Sequence, residues 1–242
     1  MLDLTPSEGA PRLPFVEAFG PTLQGEGPAA GRASSFVRFG GCNLSCSWCD
    51  SPYTWDAERF DLRKEIALLS PEDIVARIPD APLVIVTGGE PLLNQRHKAW
   101  EQFLFLLRQR FAYVHIETNG TIVPNDVTLA YVDTFIVSPK QAHAGEHKRT
   151  QNPALNVGWS KLHDDYEAHL KIVVEDAAGV DAAVELAMNH HWPKDRVWVM
   201  PEGTTADVLN ARFPEVATAA AEHHINASHR LHVLAWTDVR GH

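Results

Sequence analysis

Cysteine is scarce in this chain: three among 242 residues, all within positions 42–49. The odd count and the tight grouping argue against the disulfide framework of a small secreted domain. Long apolar runs are also missing; none approaches the roughly 18 residues that span a bilayer. Met1 to Pro14 holds acidic residues and three prolines but no apolar core, so it does not read as a signal peptide. The expected compartment is the cytoplasm. Positive charge is in short supply too. The 21 Lys and Arg against 31 Asp and Glu leave a formal net charge of −10, which argues against an electrostatic grip on nucleic acid or an anionic membrane. A local basic pocket for a small anion still needs only one or two Arg or Lys. Repeats, low-complexity tracts and interdomain linkers are absent as well. Residues 1–242 are therefore read as a single domain.

What is present is an alternation of β-rich runs and helical stretches. Candidate strands are Ser34–Phe39, Leu83–Thr87, Tyr113–Glu117, Asp133–Val137, His169–Val174 and Arg196–Met200. Several are continuous apolar runs, which suits parallel strands covered on both faces. Ser70-Pro71-Glu72-Asp73 is a helix start, with a capping Ser, Pro at the first helical position and acids behind it. Leu92–Arg110 reads as one long amphipathic helix with a basic end, and 176–191 and 204–224 read as Ala-rich helices. Right-handed βαβ units follow. Six strands are too few for a closed eight-stranded barrel, so the expected fold is α/β: a partial (β/α)6-type barrel with mostly parallel strands. Residues 141–168 contain a long polar stretch with Gly, Asn and Pro, expected to be a lid over a site.

In such folds ligands bind at the carboxyl ends of the strands. Those ends read Arg38-Phe-Gly-Gly-Cys42, Thr87-Gly-Gly-Glu-Pro91, Glu117-Thr-Asn-Gly120, Ser138-Pro-Lys140 and Met200-Pro-Glu-Gly203. All are polar or Gly-rich and should meet at one rim. The first leads into Cys42-Asn-Leu-Ser-Cys46-Ser-Trp-Cys49. Thiolates spaced by three and then two residues can take three corners of a cubane cluster, and soft thiolates favour iron–sulfur or zinc. Three thiolates on a 4Fe–4S cluster leave one iron open to a substrate or cofactor. A Cys3His zinc site using one of the 13 His stays open at this point.

Phe36–Ser51 resembles the cluster loop of radical S-adenosylmethionine (SAM) enzymes. Phe19-Gly-Pro-Thr-Leu-Gln-Gly-Glu-Gly27 upstream and Cys49-Asp-Ser-Pro-Tyr-Thr-Trp-Asp56 downstream are similar to segments of the 7-carboxy-7-deazaguanine synthase family. Gly88-Gly-Glu-Pro91, Glu117–Gly120 and Ser138–Lys140 match it too. The resemblance runs from about residue 15 to the C-terminus. It implies a lyase of 7-deazapurine (queuosine precursor) biosynthesis acting on 6-carboxy-5,6,7,8-tetrahydropterin. A 5′-deoxyadenosyl radical would take the C6 hydrogen, the ring would contract, ammonia would leave and SAM would be regenerated. The implied cofactors are a 4Fe–4S cluster, SAM and Mg²⁺. The implied partners are a second copy of the chain and a flavodoxin or ferredoxin as electron donor.

The resemblance also implies roles. Cys42, Cys46 and Cys49 hold the cluster. Leu23, Gln24 and Gly25, with Glu26 beside them, contact substrate within an N-terminal binding segment (residues 1–33). Arg38 grips its carboxylate, as a guanidinium fork is suited to do. Thr87 touches substrate and His232 closes over it. Ser51 offers a hydroxyl to magnesium. SAM contacts fall to Trp48, Asp50, Gly89, Glu90, Ser138, Pro139, Lys140, Met200 and Glu202, with Glu90 accepting from the SAM amino group. The family commonly has Gln-Pro where this chain has Met200-Pro201. A glycyl-radical activating enzyme would use the same cluster, and a non-enzymatic iron–sulfur or zinc module is the other alternative.

Overall fold

A computed structural model describes residues 11–148, 150, 154–237 and 239–241. Residues 1–10 of the expected N-terminal segment, and 149 and 151–153 of the expected lid, lie outside the described residues.

One nine-stranded sheet organises the chain, in the order β3-β1-β2-β4-β5-β6-β7-β8-β9. Its strands are β1 (Leu13–Leu23), β2 (Ala33–Phe39), β3 (Ala67–Leu69), β4 (Leu83–Gly88), β5 (Tyr113–Thr118), β6 (Thr134–Val137), β7 (Ala168–Val174), β8 (Val197–Pro201) and β9 (Asn226–Ala227). From β2 to β9 every neighbouring pair is parallel. β1 runs antiparallel to both β2 and β3. The six strands expected from the sequence are all there, each within a residue of its expected ends. The sheet curls without closing, as a partial barrel does. The antiparallel flap of β1 and β3 was not foreseen.

The helices are α1 (Leu62–Glu65), α2 (Pro71–Arg77), α3 (Lys98–Arg110), α4 (Asp126–Tyr131), α5 (Trp159–Asp165), α6 (Ala177–Asn189), α7 (Ala206–His223) and α8 (Leu231–Trp236). Their starts follow from local chemistry. Ser70 Oγ accepts from the Asp73 amide at 3.2 Å, with Pro71 in the first turn. Asp176 caps α6 by accepting from Gly179 at 2.9 Å. Each cap satisfies an amide that has no partner inside its helix. One expectation is corrected. Leu92–Arg110 is not a single helix: Pro91–Arg96 forms a 3₁₀ turn, His97 is extended, and α3 begins at Lys98. Side chains of the turn explain the break. Asn94 Nδ2 bonds back to the Pro91 carbonyl at 3.1 Å, and Gln95 bridges to Val123 and Asn125 across the neighbouring loop. Such bonds compete with helix continuation.

The strands present two unlike faces, because alternate residues point to opposite sides. Val37, Phe39, Val84, Val86, Val114, Ile116, Ile172 and Val174 pack outward beneath the helices, against Trp100, Phe103 and Trp159. The inward face begins apolar, with Phe36, Leu83, Ile85 and Ala29 and with Phe19 stacked on Phe36 at 5.0 Å. It turns polar towards the carboxyl ends of the strands. The 141–168 segment divides between these regions. Its first part lies against the cysteine loop, where Ser47 donates to the Ala144 carbonyl at 2.9 Å and Ser45 to His147 Nδ1 at 3.1 Å. Its last part, α5, packs Trp159 into the outer core against Phe135.

Candidate active site

The carboxyl ends of the strands converge, as the sequence reading requires, on one cavity of about 1310 Å³ counted to its open mouth.

The cysteine loop is held from both sides. Gly41 takes a φ of +92° and donates to the Thr54 carbonyl at 2.8 Å. The end of β4 crosses tightly over this loop: Gly89 donates to Phe39 and Glu90 to Gly41. A Cβ on Gly89 would lie 2.1 Å from the Gly41 carbonyl oxygen. Glycine at 89 is thus required by the crossing of two loops, whatever else passes there. All three thiols line the cavity. Trp55 Nε1 points at Cys49 Sγ at 3.3 Å, and the Leu44 amide at Cys42 Sγ at 3.4 Å. Donors aimed at sulfur are one means by which a protein tunes a cluster's potential. Burial pushes the Cys42 thiol up to about 12, with the Glu90, Cys49 and Cys46 groups adding to the shift. Three buried thiols in one loop fit a soft cationic centre, which drives off their protons on binding. No trio of His, Cys, Asp or Glu among the described residues is gathered closely enough for a single ion.

Opposite the thiols lies a charged wall. Lys171 Nζ sits 2.6 Å from Glu26 Oε2 and 3.0 Å from Glu117 Oε1. Gln24 Nε2 donates to Glu117 Oε1 at 3.0 Å and Thr87 Oγ1 to Glu117 Oε2 at 3.2 Å. Burial alone would strip the Lys171 ammonium of its proton, but the Glu117 and Glu26 carboxylates outweigh it and hold the group charged. Burial likewise opposes ionisation of Glu26, and Lys171, Arg230 and His232 reverse it, holding the carboxyl well below its usual range. The wall offers amide, hydroxyl, carboxylate and ammonium groups side by side, a set able to read a heterocycle edge with both donors and acceptors. Arg38 stands apart from it. Its Nε bonds Glu17 Oε1 at 3.0 Å, and Tyr53 donates to the same oxygen at 2.8 Å.

The cavity brings together nearly every residue assigned from the sequence: Leu23, Gln24, Gly25, Glu26, Arg38, Trp48, Asp50, Ser51, Thr87, Gly89, Ser138, Lys140, Met200, Glu202 and His232 line it with the cysteines. Two do not. Glu90 is fully buried behind the wall, where its carboxylate accepts from Leu92 N at 2.9 Å, Thr118 Oγ1 at 2.9 Å and Asn119 N at 2.7 Å. These three bonds pin the β4 and β5 loops together, and the carboxylate does not reach the cavity lining. Pro139 also lies off the lining, between Ser138 and Lys140, which bond each other at 2.8 Å. At the strand where Gln is replaced, Glu202 is held by Arg212 rather than standing free.

Residues not singled out as site residues also line it, among them Phe19, Phe36, Glu117, Asn119, Lys171 and Arg230. Glu117 was quoted within a strand end. Lys171 had a signal, a lone charge inside the apolar run Leu170-Lys-Ile-Val-Val174, since lysine is almost never fully buried unless paired. Arg230 had none.

Residues 36–212 match the model of the radical SAM superfamily. The 7-carboxy-7-deazaguanine synthase of Halobacterium salinarum is 37% identical, across 94% of this chain and 92% of that one. The synthase of Pyrobaculum aerophilum is 32% identical, across 96% and 98%. The chain belongs to the 7-carboxy-7-deazaguanine synthase family of radical SAM enzymes. Solved structures agree on the fold. QueE from Escherichia coli superposes with a TM-score of 0.61 at 24% identity, covering 90% of this chain and 93% of that one. Streptococcus suis SuiB bound to S-adenosylmethionine gives 0.51 at 14% identity, covering 78% of this chain and 48% of SuiB. Membership of the radical SAM superfamily implies a 4Fe–4S cluster used with SAM. Among the described residues, no helix is long and apolar enough to cross a membrane.

Proposed function

We propose that the chain converts 6-carboxy-5,6,7,8-tetrahydropterin to 7-carboxy-7-deazaguanine with loss of ammonia. One observation carries this reading: a single cavity joins the three thiols to the wall of Gln24, Glu26, Thr87, Glu117 and Lys171, with Arg38 beside it. When bound, the cluster and SAM supply a 5′-deoxyadenosyl radical, a chemistry that belongs to the cofactors. The chain's own residues do the rest. Arg38 is the group for the substrate carboxylate, and its contact with Glu17 fixes the direction of its fork. Gln24, Glu26 and Glu117 face the pterin edge, and Lys171 bonds both carboxylates, so they do not stand as a bare negative pair. Trp48, Gly89, Ser138, Lys140 and Met200 form the SAM side. Ser51, whose Oγ lies 3.3 Å from Asp50 Oδ1, would hold magnesium near the substrate carboxylate, since magnesium takes hard oxygens and keeps several waters. The His232 arm shuts the cavity on its far side. Reduction would come from a flavodoxin or ferredoxin, and the enzyme would act as a homodimer in the cytoplasm.

The test is direct. Protein reconstituted anaerobically with iron and sulfide is reduced, given SAM and the carboxytetrahydropterin, and assayed for 5′-deoxyadenosine and the deazaguanine acid. Cleavage of SAM with no deazaguanine product rejects the substrate. Product that is independent of added Mg²⁺ rejects the magnesium role of Ser51.

A further inference from the structure

Arg230 lies between β9 and α8, and its side chain is 7% exposed. Its guanidinium serves three stretches far apart in sequence. Nε donates to Glu26 Oε1 at 2.9 Å, Nη2 to Asp50 Oδ2 at 2.6 Å and Nη1 to the Gly203 carbonyl at 2.7 Å. Glu26 belongs to the segment we assign to the pterin. Asp50 follows Cys49 in the cysteine loop. Gly203 follows β8 on the SAM side. The backbone around Arg230 is pinned to the same N-terminal segment. Leu231 donates to the Gly25 carbonyl at 3.0 Å, and Gly27 donates to Ser228 Oγ at 2.9 Å. The fit leaves no slack, for a Cβ on Gly25 would lie 2.0 Å from His232 Nδ1. From Glu26 the contacts run on through Lys171 and Glu117 to Gln24 and Thr87. A continuous polar chain therefore connects the pterin wall to the residue beside the third cysteine, and Arg230 is its junction.

We infer that Arg230 is a positioning residue that locks the pterin-contacting segment to the cysteine loop, so that SAM cleavage stays matched to product formation. The inference rests on the proposed pterin substrate. A planar fork with five donors can hold three partners at once, whereas a lysine offers a point charge to one or two. Loss of this junction removes the Asp50 ion pair and leaves Glu26 to Lys171 alone, so the two segments are free to shift independently.

The experiment compares wild type with R230Q, R230K, D50N and R230Q/D50N as reconstituted holoenzymes. It reads KM for the carboxytetrahydropterin, kcat, and the ratio of 5′-deoxyadenosine released to deazaguanine formed. R230Q should raise KM about tenfold or more and raise that ratio severalfold. R230K should fall between it and wild type. D50N, which leaves the Glu26 contact intact, should raise the ratio with a smaller change in KM. The double variant should show the ratio of R230Q alone, since both changes cut one link. A ratio unchanged in R230Q would make Arg230 a plain substrate contact and overturn the inference, as would ratios that multiply in the double variant. If R230Q does not fold, R230K and D50N decide by the same ratio. Failure of the substrate reading shows separately, as wild type that forms no deazaguanine. The lock is then read on cluster-free protein by thermolysin digestion. Residues 228–236 should be cut severalfold faster in R230K than in wild type, and equal rates overturn the inference.

Discussion

At the carboxyl ends of β5 and β7, Glu117 and Lys171 meet at 3.0 Å inside the active-site cavity. Two residues earlier on the same strands, His115 and His169 line a second cavity, of about 290 Å³, at the amino-terminal end of the barrel. The strands are the same and the faces are the same, yet burial is handled in opposite ways. At the carboxyl end, charge is kept and paired. Lys171 bonds Glu26 and Glu117, Arg230 bonds Glu26 and Asp50, and these carboxylates hold both cations protonated. At the amino end, charge is suppressed. Burial, helped by the Arg32 guanidinium, pulls the His115 pKa down to about 4, so the ring is neutral at physiological pH. His169 meets Glu167 at 2.6 Å, but that carboxylate is half exposed. A barrel needs polar atoms at the end where chemistry is done, and a charged lining there is affordable only with partners already in place. The other end has no such demand, and its buried His115 ring stays neutral.

The most severe way to break this contrast is to remove the chemistry and keep the wall. Cys46→Ala should abolish the three-thiolate site and reduce deazaguanine formation to background. Iron content after reconstitution and product by chromatography check it, and pterin affinity of the cluster-free protein should change little. Next, Lys171→Met would leave Glu117 without its cation and Glu26 to Arg230 alone. Urea unfolding of the cluster-free protein should show a loss of about 3–5 kcal/mol, and Lys171→Met/Glu117→Leu should recover part of it. Recovery failing altogether would mean that Lys171 serves packing more than charge.

The amino end makes a smaller, pH-dependent prediction. His115 has its pKa near 4 in the folded protein against an ordinary 6.5. Between those values the unfolded chain binds more protons, so stability rises with pH through this window and falls as pH is lowered from about 6.5 towards 4. Going from pH 7 to 5, wild type should lose up to about 2 kcal/mol through this one group, and His115→Asn should lose correspondingly less. Equal stability losses in wild type and His115→Asn, from urea unfolding at the two pH values, would remove His115 from the account. The smallest effect belongs to Glu167→Gln, which breaks a half-exposed pair and should cost less than about 1 kcal/mol. A loss as large as that of Lys171→Met would erase the distinction between the two ends.

Much of this was legible in one dimension. Strand positions follow from continuous apolar runs, and the carboxyl-end rule gathers Arg38, Thr87, Ser138, Lys140 and Glu202 without any coordinates. The cysteine spacing narrows the centre to soft-ligand chemistry, iron–sulfur or zinc. Helix starts at Ser70 and Asp176 are local hydrogen bonds and need only their neighbours. What could not be read was pairing at long range. Glu90 sits in a strand-end motif, yet it lies fully buried off the cavity lining, where Thr118 and Asn119 donate to it. The turn at Pro91–Arg96 has helical spacing, yet Gln95 is claimed by the Val123 and Asn125 backbone. Lys171 looks misplaced in an apolar strand until Glu26 and Glu117 arrive from 145 and 54 positions away. Arg230 looks like any surface arginine until the chain's two ends meet. Local order and ligand chemistry depend on nearest neighbours and are written in the sequence itself. Which charges survive burial depends on partners from distant segments, and only the folded arrangement, by placing those partners within hydrogen-bond reach, decides it.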